Sequence, residues 1–152
     1  MVDGVSKEVR SRVMAAIRSS GNMRTELVLA RLLRAHRLSG WRRGHALLGK
    51  PDFVFAKEKL AVFVDGCFWH GCPLHCRMPK SRKGYWNPKI ARNALRDKHV
   101  TRALRRAGWR VLRIWEHHLK DPERVAERVK RALIPTRRST TQRKLERPPA
   151  IV

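Results

Sequence analysis

Residues 51–75 read PDFVFAKEKLAVFVDGCFWHGCPLH. Two apolar runs rich in Val and Phe, Asp52 to Ala56 and Leu60 to Asp65, flank the charged break Lys57-Glu58-Lys59, which is the pattern of a β-hairpin. A two-residue turn at Glu58-Lys59 predicts a register pairing Ala56 with Ala61, Phe55 with Val62 and, at the far end, Asp52 with Asp65. Directly opposed side chains lie roughly 5 Å apart at Cβ, and like charges placed there weaken a sheet unless something neutralises them. A divalent cation would do so, because Mg²⁺ is commonly held by one or two carboxylates together with substrate phosphate oxygens. Asp52 and Asp65 are therefore candidate Mg²⁺ ligands, against the plainer reading of one strand cap and one solvated turn residue.

Directly after Asp65 the chain runs Gly66-Cys67-Phe68-Trp69-His70-Gly71-Cys72-Pro73-Leu74-His75-Cys76, its densest stretch of Cys, His and aromatic residues. Three thiols are an odd set, and the start Met1-Val2-Asp3-Gly4 lacks the charged-then-apolar pattern of a secretory signal. Metal binding is expected over a disulfide framework. Cys67, Cys72 and His75 have loop spacing suited to tetrahedral Zn²⁺, with Cys76 as a substitute for His75. A fourth ligand must come from outside the loop, and His117 or His118, following the apolar run Val111 to Trp115, are the best donors.

At 152 residues the chain is long enough for one domain with a real core. Its 36 Lys and Arg against 12 Asp and Glu give a formal charge of +24, so nucleic acid is the first partner to consider. A membrane surface is the competing polyanion, but the basic residues are spread along the chain and no apolar run approaches a spanning length. A cytoplasmic protein working on the chromosome is expected. The plainer alternative is a ribosome-associated or other structural basic protein.

Ser6 to Ile17 carries Val9, Val13, Met14 and Ile17 at helical spacing among arginines, with Met14 either a wedge toward DNA or a core contact. A second helix opens near Thr25, with Leu27, Val28, Ala30, Leu32 and Leu33 as its buried stripe. Glu26 either offsets that helix's dipole or stands as a supporting carboxylate near the metal or a catalytic histidine. Trp41 to Leu48 reads as a first strand and loop. Beyond the basic connector from Arg77 to Lys83, Asn87 is a suitable N-cap and Pro88 a suitable first residue of a helix ending at Gly108. Asp97 in that helix either makes a weak surface contact or orients a nearby His. Trp109 to Trp115 alternates like a strand, and Asp121-Pro122-Glu123 starts a last helix. The stretch 136–152 loses periodicity and reads as a disordered basic tail with salt-sensitive affinity for DNA, beside a folded domain over 1–135.

The order helix, helix, three strands, helix, strand, helix gives an α/β fold, a mixed β-sheet flanked by helices. With PD on the second strand and an acid on the third, it resembles the restriction-endonuclease-like superfamily. LLGKPDFVF, GCFWHGCPLH, YWNPKIARNALRD and GWRVLRIWEHH together resemble the very-short-patch-repair (Vsr) DNA mismatch endonucleases over roughly Val9 to Leu133. That resemblance implies a bacterial, nucleoid-associated nuclease that nicks 5′ to the thymine of a T:G mismatch left by deamination of 5-methylcytosine. It matches Asp52 to the metal-binding aspartate, His70 to the catalytic histidine, Asp97 to the aspartate holding it and Glu26 to the N-terminal glutamate. Phe68, Trp69 and Met14 match the residues that wedge into the duplex, and Cys67, Cys72, His75 and His117 fall at or near the structural zinc ligands. Val64-Asp65 stands where the best-studied members have Thr-His, which restores the superfamily's paired acids. The expected partners are mismatched double-stranded DNA, a cytosine-5 methyltransferase system and downstream repair proteins, with the protein a monomer. Two competitors remain: a related Mg²⁺-dependent restriction or mobile-element nuclease without mismatch preference, and a non-catalytic zinc-containing DNA-binding protein.

Overall fold

The computed structural model describes Ser6 and residues 23–77 and 83–135. The expected first helix over 6–17, with Met14, and the expected tail over 136–152 lie outside the described residues. The elements run α1 (Met23–Ala35), β1 (Trp41–Arg42), β2 (Phe53–Phe55), β3 (Leu60–Asp65), α2 (Lys83–Arg106), β4 (Arg110–Trp115), a 3-10 segment (Glu116–Lys120) and α3 (Pro122–Leu133). Among the described residues the strands form one mixed sheet in the order β1-β2-β3-β4. β1, β2 and β3 pair antiparallel, and β3 pairs parallel to β4. A parallel pair needs a long crossover, and α2 lies within it.

Alternation along the strands sorts side chains onto two faces. Phe53, Phe55, Leu60, Val62 and Ile114 join Leu29 and Leu33 of α1 and Val125 and Val129 of α3 in one buried cluster. Ala61 and Phe63 join Val100 and Leu104 of α2 on the opposite face, with Leu47, Trp109 and Val111 packed around them. The sheet is thus sandwiched between α1 with α3 and α2. Asp65 and Arg113 have the parity of Phe63 and Val111, so they belong to the α2 face.

Two sequence expectations are corrected. The β2–β3 register pairs Phe53 with Val62, Val54 with Ala61 and Phe55 with Leu60; one further step puts Asp52 opposite Phe63, not Asp65. The turn takes four residues, Ala56 to Lys59, closed by Lys59 N–H on the Ala56 carbonyl at 3.2 Å with Lys59 at φ 48. Two extra turn residues slide the partner by two, so Asp52 and Asp65 share a face without being opposed. Second, α2 begins at Lys83, with Pro88 inside it. Proline there removes one intrahelical hydrogen bond, while Tyr85 and Trp86 in the preceding turn gain ring contacts that hold that turn helical. The first strand spans Trp41–Arg42, and the chain then loops through two left-handed glycines, Gly44 and Gly49, as the reading of Trp41 to Leu48 as a strand and loop expects.

Gly49 packs that loop against α2: a Cβ there would lie 2.4 Å from Val100 Cγ1, and its φ is +77. Gly40 has φ +89 with nothing within 4 Å. Urea unfolding of Gly40→Ala should show the backbone penalty alone, about 1 kcal/mol, and Gly49→Ala should cost roughly 1–3 kcal/mol more through overpacking.

Candidate active site

Three acids and a histidine gather where β3 ends. Asp65 is buried at the last position of β3. Asp97 lies one turn before Val100 on the stripe of α2 that faces the sheet, which brings it to the same place. His70 Nδ1 is 2.5 Å from Asp97 Oδ2 and 3.7 Å from Asp65 Oδ1. With Nδ1–H donated to Asp97, Nε2 is the ring nitrogen available for proton transfer. Burial by itself would lift the Asp97 carboxyl, but the His70 hydrogen bond and the charges of His70, Arg113 and Arg96 outweigh it and hold it below the usual range. Asp65, His70 and Asp97 place one ligand atom each within 4.8 Å of one another, a spacing one cation can span.

Asp52 sits beside them on the edge of β2. Its Oδ2 accepts a hydrogen bond from the Val64 N–H at 2.7 Å. Burial nevertheless pushes its carboxyl up to about 6, against the Val64 hydrogen bond, and the nearby Glu26 and Asp65 push the same way. Glu26, in the first turn of α1, is buried and ion-paired with Arg43. It is therefore more than a helix-dipole partner, because it shares the Asp52 environment. Carboxylates crowded until one resists ionisation are a donor set that suits Mg²⁺, and Asp52 and Asp65 fit the ion in that chemical sense.

Arg113 is the residue that sequence reading missed. Its Nε and Nη2 donate to the two oxygens of Asp65 at 2.6 and 2.7 Å, and Nη2 also reaches Asp97 Oδ1 at 3.0 Å. The like-charge problem expected of Asp65 is thus met by a guanidinium from β4. The available signal was an arginine at an inward position of an alternating strand.

The Cys/His loop forms a second cluster, fixed by the parallel ladder. Leu60 pairs with Arg110 and Asp65 with Trp115, so Cys67 and His117 each stand two residues past the same rung. Their Sγ and Nδ1 are 3.2 Å apart, and Cys72 Sγ lies 3.8 Å from His75 Nδ1 and 3.7 Å from His117 Nδ1. Tetrahedral zinc with bonds of about 2.3 Å to sulfur and 2.0 Å to nitrogen separates its ligand atoms by roughly 3.3–3.8 Å. The four fit it. Burial pushes the Cys67 thiol up, and Cys72 adds to this, so a bound cation would displace its proton. The cluster gathers His75 and His117, while Cys76 and His118 make other contacts. Cys76 Sγ contacts the Phe68 carbonyl at 3.6 Å, and His118 Nδ1 faces Arg128 at 3.0 Å and the Trp115 N–H at 3.3 Å. Gly71 makes the loop's sharp bend at φ +66, where a Cβ would meet Ile90 at 2.9 Å.

Phe68 and Trp69 are half-buried. Their rings meet at 5.1 Å and pack on Trp86 of α2 at 5.3 and 5.9 Å. Lys89 Nζ lies 5.5 Å from the Trp69, Tyr85 and Trp86 rings, and Asn93 Nδ2 donates to the Trp69 carbonyl at 2.9 Å. Trp86, Lys89, Asn93 and Asp97 are successive steps of one helical stripe. None but Asp97 was singled out from sequence, since only the fold shows which stripe faces the loop.

Comparison with known proteins points the same way. A sequence model described as DNA mismatch endonuclease Vsr matches residues 2–77. The chain is 55% identical to the type II nicking enzyme V.NaeI of Lentzea aerocolonigenes over 76 residues, which span half of this chain and 46% of that protein. It is 40% identical to the type II nicking enzyme V.XorIIP of Xanthomonas oryzae pv. oryzae over 90% of this chain and 100% of that protein. It is 35% identical to the DNA mismatch endonuclease Vsr of Escherichia coli over 84% of this chain and 81% of that protein.

Two outcomes are expected. Atomic absorption on protein expressed with zinc should give stoichiometric metal for wild type and Cys76→Ala, and sub-stoichiometric metal for Cys72→Ala. In Mg²⁺-free buffer, Asp52→Asn should stabilise the fold. The folded carboxyl ionises near 6 rather than its ordinary 3.8, so its destabilisation sets in as pH rises through that window and is absent below it. Urea unfolding should show a gain of roughly 1–3 kcal/mol near pH 8 that vanishes near pH 3.5.

Proposed function

Since this chain belongs to the family of the DNA mismatch endonuclease Vsr and is a DNA endonuclease, we propose that it nicks duplex DNA 5′ to the thymine of a T:G mismatch by Mg²⁺-dependent phosphodiester hydrolysis. The observation that carries this reading is the convergence of Asp52, Asp65, His70 and Asp97 at one end of β3, beside the aromatic loop. The mixed sheet between helices, with acids on β2 and β3, is read as a restriction-endonuclease-like core.

Asp52 and Asp65 would hold Mg²⁺, whose chemistry at a phosphodiester is to stabilise developing negative charge and to acidify water. Asp97 fixes the His70 ring and its Nδ1–H, which leaves Nε2 to accept a proton from the attacking water as the phosphorus–oxygen bond to the leaving group breaks. Glu26 tunes Asp52 through their shared burial. Phe68 and Trp69, backed by Trp86, are the wedge; unstacking a base step costs a few kcal/mol and least at a mismatch, so insertion itself selects the substrate. Zn²⁺ at Cys67, Cys72, His75 and His117 ties the wedge loop to the end of β4 and keeps it rigid. Among the described residues no helix is long and apolar enough to cross a membrane, and work on the chromosome in the cytoplasm, after a cytosine-5 methyltransferase, suits the reading.

Relatives named as type II nicking enzymes favour one second reading, a nicking nuclease without mismatch preference. A labelled duplex with a single T:G mismatch and its matched control, incubated with and without Mg²⁺, separates the two. Wild type should nick only the mismatched duplex and only with Mg²⁺, and Asp52→Ala should lose at least about 100-fold in rate. Equal nicking of both duplexes would establish the second reading.

A further inference from the structure

Resting on that reading, we propose that Arg113 is a positioning residue of the active site: its guanidinium joins Asp65 to Asp97 and, through Asp97, aims His70. Nε serves Asp65 Oδ2 at 2.6 Å; Nη2 serves both Asp65 Oδ1 at 2.7 Å and Asp97 Oδ1 at 3.0 Å; Nη1 lies 3.5 Å from Thr101 Oγ1. The fork lies over the Phe63 ring, its central carbon 4.7 Å from the ring centre, and the strand that carries it is pinned where the Arg113 backbone carbonyl accepts a hydrogen bond from Arg128 Nη2 of α3 at 2.9 Å. A planar guanidinium locked in this way is a rigid template, unlike a lysine ammonium.

Asp97 shows what the template does. Its two oxygens are divided, Oδ1 to Arg113 and Oδ2 to His70 Nδ1. Fixing the first oxygen sets the orientation of the carboxylate, and that orientation decides where the second points and which way the imidazole turns. Asp65 is tied to the same guanidinium through both oxygens, so any shift of one acid is passed to the other. A single cation thereby gives the candidate metal ligand and the base pair His70–Asp97 a common reference.

The test uses full-length Arg113→Gln, Arg113→Lys, Asp65→Asn and the double variant Asp65→Asn/Arg113→Gln. Zinc content and melting temperature verify folding, DNA affinity is measured without Mg²⁺, nicking is measured in single turnover at saturating DNA and Mg²⁺, and the downfield imidazole proton of His70 is followed by NMR. Arg113→Gln should slow nicking by about 100-fold, the penalty of a misplaced reacting group, with DNA affinity little changed and the downfield proton lost. Arg113→Lys should recover part of the rate, and the double variant should be no slower than the slower single variant, as expected of residues acting as a unit. Should Arg113→Gln fail to fold, the Lys variant decides, with a reduced rate and a weakened resonance supporting the role. Wild-type rate or an unaltered His70 proton in a folded Arg113 variant overturns it. If wild type nicks no duplex while the variant still loses the proton, the functional reading fails and the positioning role stands.

Discussion

The parallel pairing of β3 with β4 is the constraint on which both clusters depend. Asp65 and Trp115 end the ladder on one rung, so whatever follows each strand emerges at the same edge. Cys67 and His117 meet because they are equally far past that rung, and Arg113, one step in from the end on the face of α2, meets Asp65. Sliding the ladder by two residues would keep every apolar side chain on its own face. It would nevertheless separate Cys67 from His117 and draw Arg113 away from its acids. Burial sets which face each residue takes, and the Cys/His cluster and the ion pair add a reason for one register over its equivalents.

The α2 helix supplies the opposite wall through a single stripe. Val100 and Leu104 anchor it in the apolar layer, and one turn earlier the same stripe presents Asp97, then Asn93, Lys89 and Trp86. Packing therefore positions the polar residues: the C-terminal half of α2 is held by burial, and the N-terminal half extends from it to contact His70 and the rings of Phe68 and Trp69. Pro88 within the helix is tolerated because the turn before it is held by ring contacts with the loop. Asp65, Asp97 and Arg113 sit on regular elements, and the loop that carries His70 is held against α2 through Asp97 and Asn93, the kind of support that precise chemistry requires.

How far the sequence could be read follows from the range of each interaction. Local patterns were legible: the bounds of β3, the start of α3 at Asp121-Pro122, and the grouping of Cys67, Cys72 and His75 all follow from spacing within a few residues. The hairpin register was not, since a four-residue turn with Lys59 in the left-handed region leaves no strong mark in Ala56-Lys57-Glu58-Lys59. The choice of His117 over His118 was open for a related reason. Neighbours in sequence, they part company only through the ladder and through Arg128, contacts set by tertiary structure. Arg113 looked like one more arginine in a chain of +24; only the pairing of β4 against β3 distinguishes it from solvated neighbours. An aspartate at position 65, where the resemblance calls for histidine, becomes intelligible beside that arginine, because the pair keeps a buried acid charged without leaving it unpaired.

Charge also sets the order of events at the site. The exposed side of α2 carries Arg92, Arg96, Arg102, Arg105 and Arg106, all open to solvent, and such a surface draws a phosphate backbone in without regard to sequence. At the centre the balance reverses: Asp52, Asp65 and Asp97 with Glu26 outnumber Arg113 and Arg43, so the point where a scissile phosphate must sit repels it. In the proposed reading the divalent cation removes that repulsion, and the phosphate supplies the oxygens that complete the cation's shell. Each then binds better in the presence of the other, a coupling that is reciprocal by thermodynamic necessity.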